Sequence, residues 1–222
     1  MQYIDLSHTV FDGLITYKGL PAPVICDYLS REKSKEYYTE GTSFQIGQIN
    51  MVANTGTYID CPFHRYKDGR DLSEIHLNEV VNLPGIVLNA LGRTAIDESY
   101  FKTKDVKGKA VLVHTGWSQH WNTEKYFEGH PFLTKSAAEY LKENGAALVG
   151  IDSHNIDDTT DPSRPVHSIL LKAEIFIVEH MTNLASLPDH GFVFSAVPPK
   201  IKGMGTFPVR AFATTKTPVP QT

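Results

Sequence analysis

The chain has 222 residues, 41% of them hydrophobic and 21% charged, with a formal net charge of -4. That is enough for one sizeable core, and it offers no global attraction to polyanions, so nucleic acid is not a favoured partner. Its two cysteines, Cys26 and Cys61, lie far apart outside any C-x-x-C spacing, which argues against a disulfide framework or a structural zinc knuckle and fits a reduced, cytoplasmic setting.

The opening Met1-Gln2-Tyr3-Ile4-Asp5 lacks a basic stretch followed by an apolar run, and no later segment approaches the roughly 18 apolar residues of a membrane span. Neither an export signal nor a membrane partner is expected. Without internal repeats, low-complexity tracts or a long linker, residues 1–222 read as a single domain.

In chain order, residues 27–50 mix charge, aromatics and Gly without a period and take no firm assignment; a lid or an interface segment would suit them. Short branched runs bounded by polar or turn positions predict strands at 47–52, 85–88, 110–114, 147–151 and 175–179. One helix is predicted over 133–145, with Thr134 capping its start and Asn144-Gly145 ending its last turn. It runs into the apolar segment 146–151 and then Asp152, the pattern of an α/β unit whose buried strand ends in a functional loop.

The segment Asn54-Thr55-Gly56-Thr57-Tyr58-Ile59-Asp60-Cys61-Pro62-Phe63-His64 carries the most chemical information. Strand alternation puts Tyr58 and Asp60 on one face, and Pro62 then breaks the ladder so that His64 can turn back toward them. A carboxylate and an imidazole placed this way suit a divalent metal, or an acid/base pair around a water. The same spacing also admits a structural reading, with Asp60 as a turn cap and His64 as a hydrogen-bonded loop histidine.

A second polar cluster runs from Asp152 to Asp158, followed by Arg164-Pro165-Val166-His167 and by Glu179 at the end of an apolar strand. A carboxylate buried there costs several kcal/mol unless it is paired, hydrogen-bonded or bound to a cation. His167 could pair with it, or both could share a metal; a solvent-exposed Glu179 is the plainer alternative.

Taken in order, these pieces resemble one family nearly end to end: the cyclase-like, metal-dependent hydrolases that include kynurenine formamidases and isatin hydrolases. Asp5-Leu6-Ser7-His8 with Tyr17-Lys18-Gly19 is similar to the family's opening, and Asn54 to His64 resembles its signature H-x-G-T-H-x-D-x-P-x-H. Thr115-Gly116-Trp117, the run 148–152, His167, Glu179 with Asn183-Leu184, and Lys202-Gly203 through Arg210-Ala211 match further landmarks.

The resemblance implies an α/β, mixed-sheet, barrel-like swivelling β/β/α domain with few helices, assembled as a homodimer or homotetramer. It places a metal ligand on Asp60, a proton donor and acceptor on His64, and later metal ligands on His167 and Glu179. Asn54 and Tyr58 stand where the family's signature has histidines. Both are poor zinc donors as neutral groups.

Three chemistries are then open. Asp60, His167 and Glu179 hold one divalent ion, Zn or Mn, and His64 shuttles a proton in hydrolysis of a small cyclic amide, formamide or related C–N carbonyl compound. Alternatively, no metal is present and Tyr58, His64 and Asp60 perform lyase or isomerase chemistry. In the third, the chain only binds a small molecule. Tyr17, Asn54 and Trp117 are the candidate substrate contacts, with His114 as a further pocket residue, whereas His8, His76, His120, His130 and His190 read as structural or surface residues.

Overall fold

The computed structural model describes residues 1–215. Runs such as Ala110-Val111-Leu112-Val113 and Leu148-Val149-Gly150-Ile151 are short and apolar on both faces, so they are stable only as central strands covered on each side.

The chain forms β1 (Gln2–Asp5), β2 (Val24–Leu29), α1 (Arg31–Ser34), β3 (Ile46–Asn50), β4 (Tyr58–Asp60), β5 (Leu83–Asn89), β6 (Ala95–Ile96), β7 (Ala110–His114) and β8 (Phe132–Leu133). After these come α2 (Lys135–Glu143), β9 (Leu148–Ile151), α3 (Pro165–Lys172), β10 (Phe176–Glu179), β11 (His190–Ser195), β12 (Thr206–Pro208) and β13 (Phe212–Thr215). Among the described residues, nine strands make one sheet in the order β1-β13-β11-β5-β7-β9-β10-β4-β12. Its centre, β5-β7-β9-β10, is parallel, and both flanks are antiparallel.

The sheet curls into a half-barrel, the mixed, barrel-like α/β fold with few helices that the family resemblance implies. On one face Ala138, Leu141, Val166 and Leu170 of the two longer helices pack on Val111, Val113, Val149 and Ile177. The other face packs Leu112, Leu148 and Val178 against Phe192, Phe194 and Leu72. Each fully buried Leu or Val there contributes about 1.5–3 kcal/mol relative to an exposed one.

The expected strands and helix are present within a residue or two, and Thr134 caps α2 by accepting the Ala137 N–H at 3.3 Å. Residues 27–50, left unassigned above, contain α1 and most of a two-stranded sheet of β2 and β3 whose residues are almost all exposed. No helix among the described residues is long and apolar enough to cross a membrane.

Candidate active site

The site begins with register. β4 lies antiparallel to β10, so Tyr58 is directly opposite Glu179 and Asp60 opposite Ile177. β12 pairs on the other side of β4 and sets Thr206 opposite Asp60. Because Ile177 belongs to the helix-covered face, alternation sends Tyr58, Asp60 and Glu179 to that face while Ile59 enters the opposite core.

After β4, Pro62 opens a single 3-10 turn over Pro62–His64 that brings the His64 imidazole back to the strand, as the spacing predicted. The turn fits because Gly205 passes close by: a Cβ there would lie 2.2 Å from the His64 backbone nitrogen. His167 arrives from α3. Asp157 caps that helix, accepting the Val166 N–H at 2.7 Å and the His167 N–H at 3.0 Å, and it also contacts His167 Nδ1 at 2.6 Å. An imidazole held through Nδ1 by a carboxylate presents Nε2 to the site.

Asp60, Glu179 and His167 are all buried. Glu179 Oε2 accepts the Tyr58 hydroxyl at 2.6 Å, and Oε1 accepts the Ile156 N–H at 2.6 Å. Tyr17 adds its hydroxyl 2.9 Å from that of Tyr58 and receives the Asn155 amide at 2.8 Å. Glu179 therefore has the partners its burial demands.

Asp60 is different. Its Oδ1 accepts the Thr206 hydroxyl, but its Oδ2 is buried without any hydrogen bond and lies 3.6 Å from His167 Nε2. Thr206 Oγ1 is also 2.7 Å from His64 Nδ1. A hydroxyl has one proton; since it goes to the Asp60 carboxylate, His64 must donate Nδ1–H to Thr206, which in the neutral ring makes Nε2 the acceptor.

Electrostatics agree with the geometry. Burial alone pushes the Asp60 carboxyl up, but His64, His167 and Thr206 hold it below the ordinary value. Burial lowers His167, yet Glu179, Asp157 and Asp60 override it and raise the imidazole to about 10. The point between Asp60 and His167 thus calls for positive charge, which a proton or a cation can provide. Ligand atoms of Asp60, His64 and His167 all lie within 4.8 Å of one another, so the donor set fits a divalent ion. Glu179, the third ligand expected from the resemblance, is outside that trio, 3.8 Å from His167 Nε2.

Tyr58 and Tyr17 are pushed well above the usual phenol range, first by burial and next by Glu179. Both stay protonated, which leaves Tyr58 a neutral donor rather than an anionic ligand.

Tyr17, Asn54, Tyr58, His64, His167 and Glu179 line one cavity of about 380 Å³. Trp117, expected to touch substrate, is not among the residues lining this cavity: its indole N–H donates to the Tyr126 carbonyl at 3.0 Å and Lys125 lies over its ring. Gly116 before it is left-handed, at φ 75°, and opens the 3-10 turn that carries Trp117. His114 faces Asp152 at 3.9 Å instead of the cavity. Thr206 was not foreseen, and Asn155, Asp157 and Arg164 stood out in the sequence only as members of a polar cluster, without a role.

Residues 4–158 match the family model Cyclase, described as "Putative cyclase". The chain belongs to this family. A kynurenine formamidase of Geobacillus thermodenitrificans is 31% identical over 174 residues, 78% of this chain and 81% of that protein. A kynurenine formamidase of Bacillus cereus is 28% identical over 211 residues, 95% and 96% of the two chains. Isatin hydrolase A from Labrenzia aggregata shares the fold, with a TM-score of 0.83 at 22% identity over 97% of this chain and 94% of that one.

Proposed function

We propose that this member of the cyclase family hydrolyses the C–N bond of a small amide, a cyclic amide or formamide, with one divalent cation, Zn or Mn, held by Asp60 and His167. Glu179 completes the protein ligands, which leaves the His64 imidazole free to move a proton. The observation that carries this reading is Asp60 Oδ2, a buried carboxylate oxygen with no hydrogen bond beside His167 Nε2. Kinship with kynurenine formamidases supports the amide substrate.

When bound, the cation would supply a water of lowered pKa and a polarised carbonyl. The chain's own residues do the rest. Asp157 fixes the His167 ring, and Thr206 fixes the tautomer of His64. His64 Nε2 accepts the proton of the attacking water as the new C–O bond forms, then returns it to the leaving nitrogen as the C–N bond breaks. Tyr58 keeps Glu179 in place, while Asn54 and Tyr17 border the substrate.

A metal-free lyase or isomerase built on Tyr58, His64 and Asp60 has less support, because the Tyr58 proton is already directed at Glu179. The test is hydrolysis of formanilide before and after chelation. Activity lost on chelation and regained with zinc or manganese supports the proposal; activity indifferent to chelator, or no hydrolysis of any formamide or lactam tried, counts against it. The protein is taken to act on a small molecule as a homodimer or homotetramer.

A further inference from the structure

The turn that carries His64 is gripped by backbone. A Cβ on Gly69 would lie 2.7 Å from the Pro62 carbonyl carbon, and one on Gly205 would lie 2.2 Å from the His64 nitrogen. Two chain segments therefore press on the turn with no side chain between, and each is bonded to it. The Phe63 N–H donates to the Arg70 carbonyl at 3.0 Å, and the Cys61 N–H donates to the Gly205 carbonyl at 2.8 Å. In contact this close, a shift of either segment is passed on to His64.

The segments are also joined to each other. The Leu72 N–H donates to the Met204 carbonyl at 2.9 Å, and Asp71 Oδ2 accepts the Gly203 N–H at 2.6 Å. Asp71 Oδ1 meanwhile accepts the Ser73 N–H at 2.8 Å and the Ser73 hydroxyl at 2.6 Å. Asp71 is buried and lies outside the lining of the cavity. The Gly203 N–H, followed by Ser73, holds its carboxyl below the ordinary value. It stays ionised at neutral pH and accepts more strongly than a neutral amide would.

Gly203 stands three residues before Thr206, whose hydroxyl joins Asp60 to His64. Residues 196–205 form no helix or strand, and at about 3.3–3.6 Å per residue the chain from Gly203 to Thr206 spans at most about 10 Å. The place of the Thr206 hydroxyl thus depends on where Gly203 is anchored. We infer that Asp71 is a positioning residue for catalysis: by anchoring Gly203 it sets where Thr206 offers its oxygen to His64 Nδ1, and with it the tautomer that leaves Nε2 able to take a proton. That role takes the reaction from the amide-hydrolase reading and the geometry from these hydrogen bonds alone. A carboxylate that only capped a loop would stabilise the fold and leave the His64 ring unchanged.

Kinetics separate the two roles. In the metal-loaded protein, Asp71→Asn should lower kcat for formanilide about tenfold with little change in KM, as for residues that orient a site from behind. Added to Thr206→Val, the same substitution should cost nothing further, since its effect passes through the Thr206 hydroxyl. Full activity in Asp71→Asn, or losses that multiply in the double variant, overturns the inference.

NMR of the His64 ring nitrogens, in chelated protein at a pH where the ring is neutral, reads the positioning without the reaction. The parent should show the Nδ1–H tautomer, and Asp71→Asn a clear share of Nε2–H. If no amide is hydrolysed but the tautomer shifts, the hydrolase reading fails and the positioning stands; an unshifted tautomer overturns it whatever the activity. Should Asp71→Asn not fold, Ser73→Ala removes one donor from the same carboxylate and should shift the tautomer in the same direction, with kcat lower by about threefold. No change in Ser73→Ala then overturns the inference as well.

Discussion

The Tyr58 hydroxyl donates to Glu179 Oε2 at 2.6 Å across the β4–β10 pair, where the two residues stand directly opposite. Tyr58 is thus a neutral phenol satisfying a fully buried carboxylate. Burial raises the Glu179 carboxyl, against the pull of the neighbouring His167, and the Tyr58 hydrogen bond offsets part of that burden. Tyr58→Phe leaves Oε2 with only the long 3.4 Å contact from the Tyr17 hydroxyl and should lower unfolding free energy by about 1–3 kcal/mol. Urea denaturation of chelated protein measures it, and an unchanged midpoint and slope would mean that the bond contributes nothing.

Thr206 links Asp60 to His64 with one hydroxyl. Thr206→Val removes the acceptor that sets the His64 tautomer, and kcat should fall about 10- to 100-fold, as for other residues that orient a site from behind. Thr206→Ser should restore most of the rate. The pH dependence of kcat/KM should shift in the Val variant and return in the Ser variant. Full activity in Thr206→Val would show that His64 needs no such partner.

The contrast between Tyr58 and Thr206 shows what sequence could and could not reveal. Tyr58, Asp60 and His64 lie within seven residues of one another, so strand period and a proline break suffice to bring them together. Thr206 is 146 residues from Asp60, and only the β12–β4 pairing joins them. α3 was missed for a related reason. Pro165 is a proper first-turn residue, but its cap is Asp157, eight positions earlier, and the intervening Arg164 adopts a left-handed conformation that no local pattern announces. Trp117 lies outside the lining of this cavity, and an aromatic after a turn reads the same in sequence whether it faces a cavity or, as here, donates to a backbone carbonyl.

Acid should weaken the fold through His154. Burial, followed by His130 and Arg164, lowers this imidazole to about 3, and its Nδ1 is buried without a partner. The unfolded chain protonates the same group near 6.5, so below that pH the unfolded state takes up the proton first. Its contribution to stability is complete above about pH 6.5 and declines toward pH 3, at up to about 1.4 kcal/mol per pH unit. His154→Phe should show a shallower loss of stability across that window than the parent; parallel curves would contradict the assignment.

The β2–β3 sheet displays Tyr28 at 73% and Ile49 at 59% exposure. Apolar side chains on an isolated, open-edged pair of strands suit burial against another copy. Light scattering of the parent should give a dimer or tetramer, and Tyr28→Asp with Ile49→Asp should shift it toward monomer. A monomeric parent would remove the assembly from the account.

The central claim is that Asp60 and His167 hold a divalent cation, and its most direct test is elemental analysis of gently purified protein beside Asp60→Asn. The account predicts stoichiometric zinc or manganese in the parent and little in the variant, with both proteins folded by circular dichroism. A parent that contains no metal and takes up none from added zinc or manganese, or an Asp60→Asn variant that retains it in full, would contradict the claim.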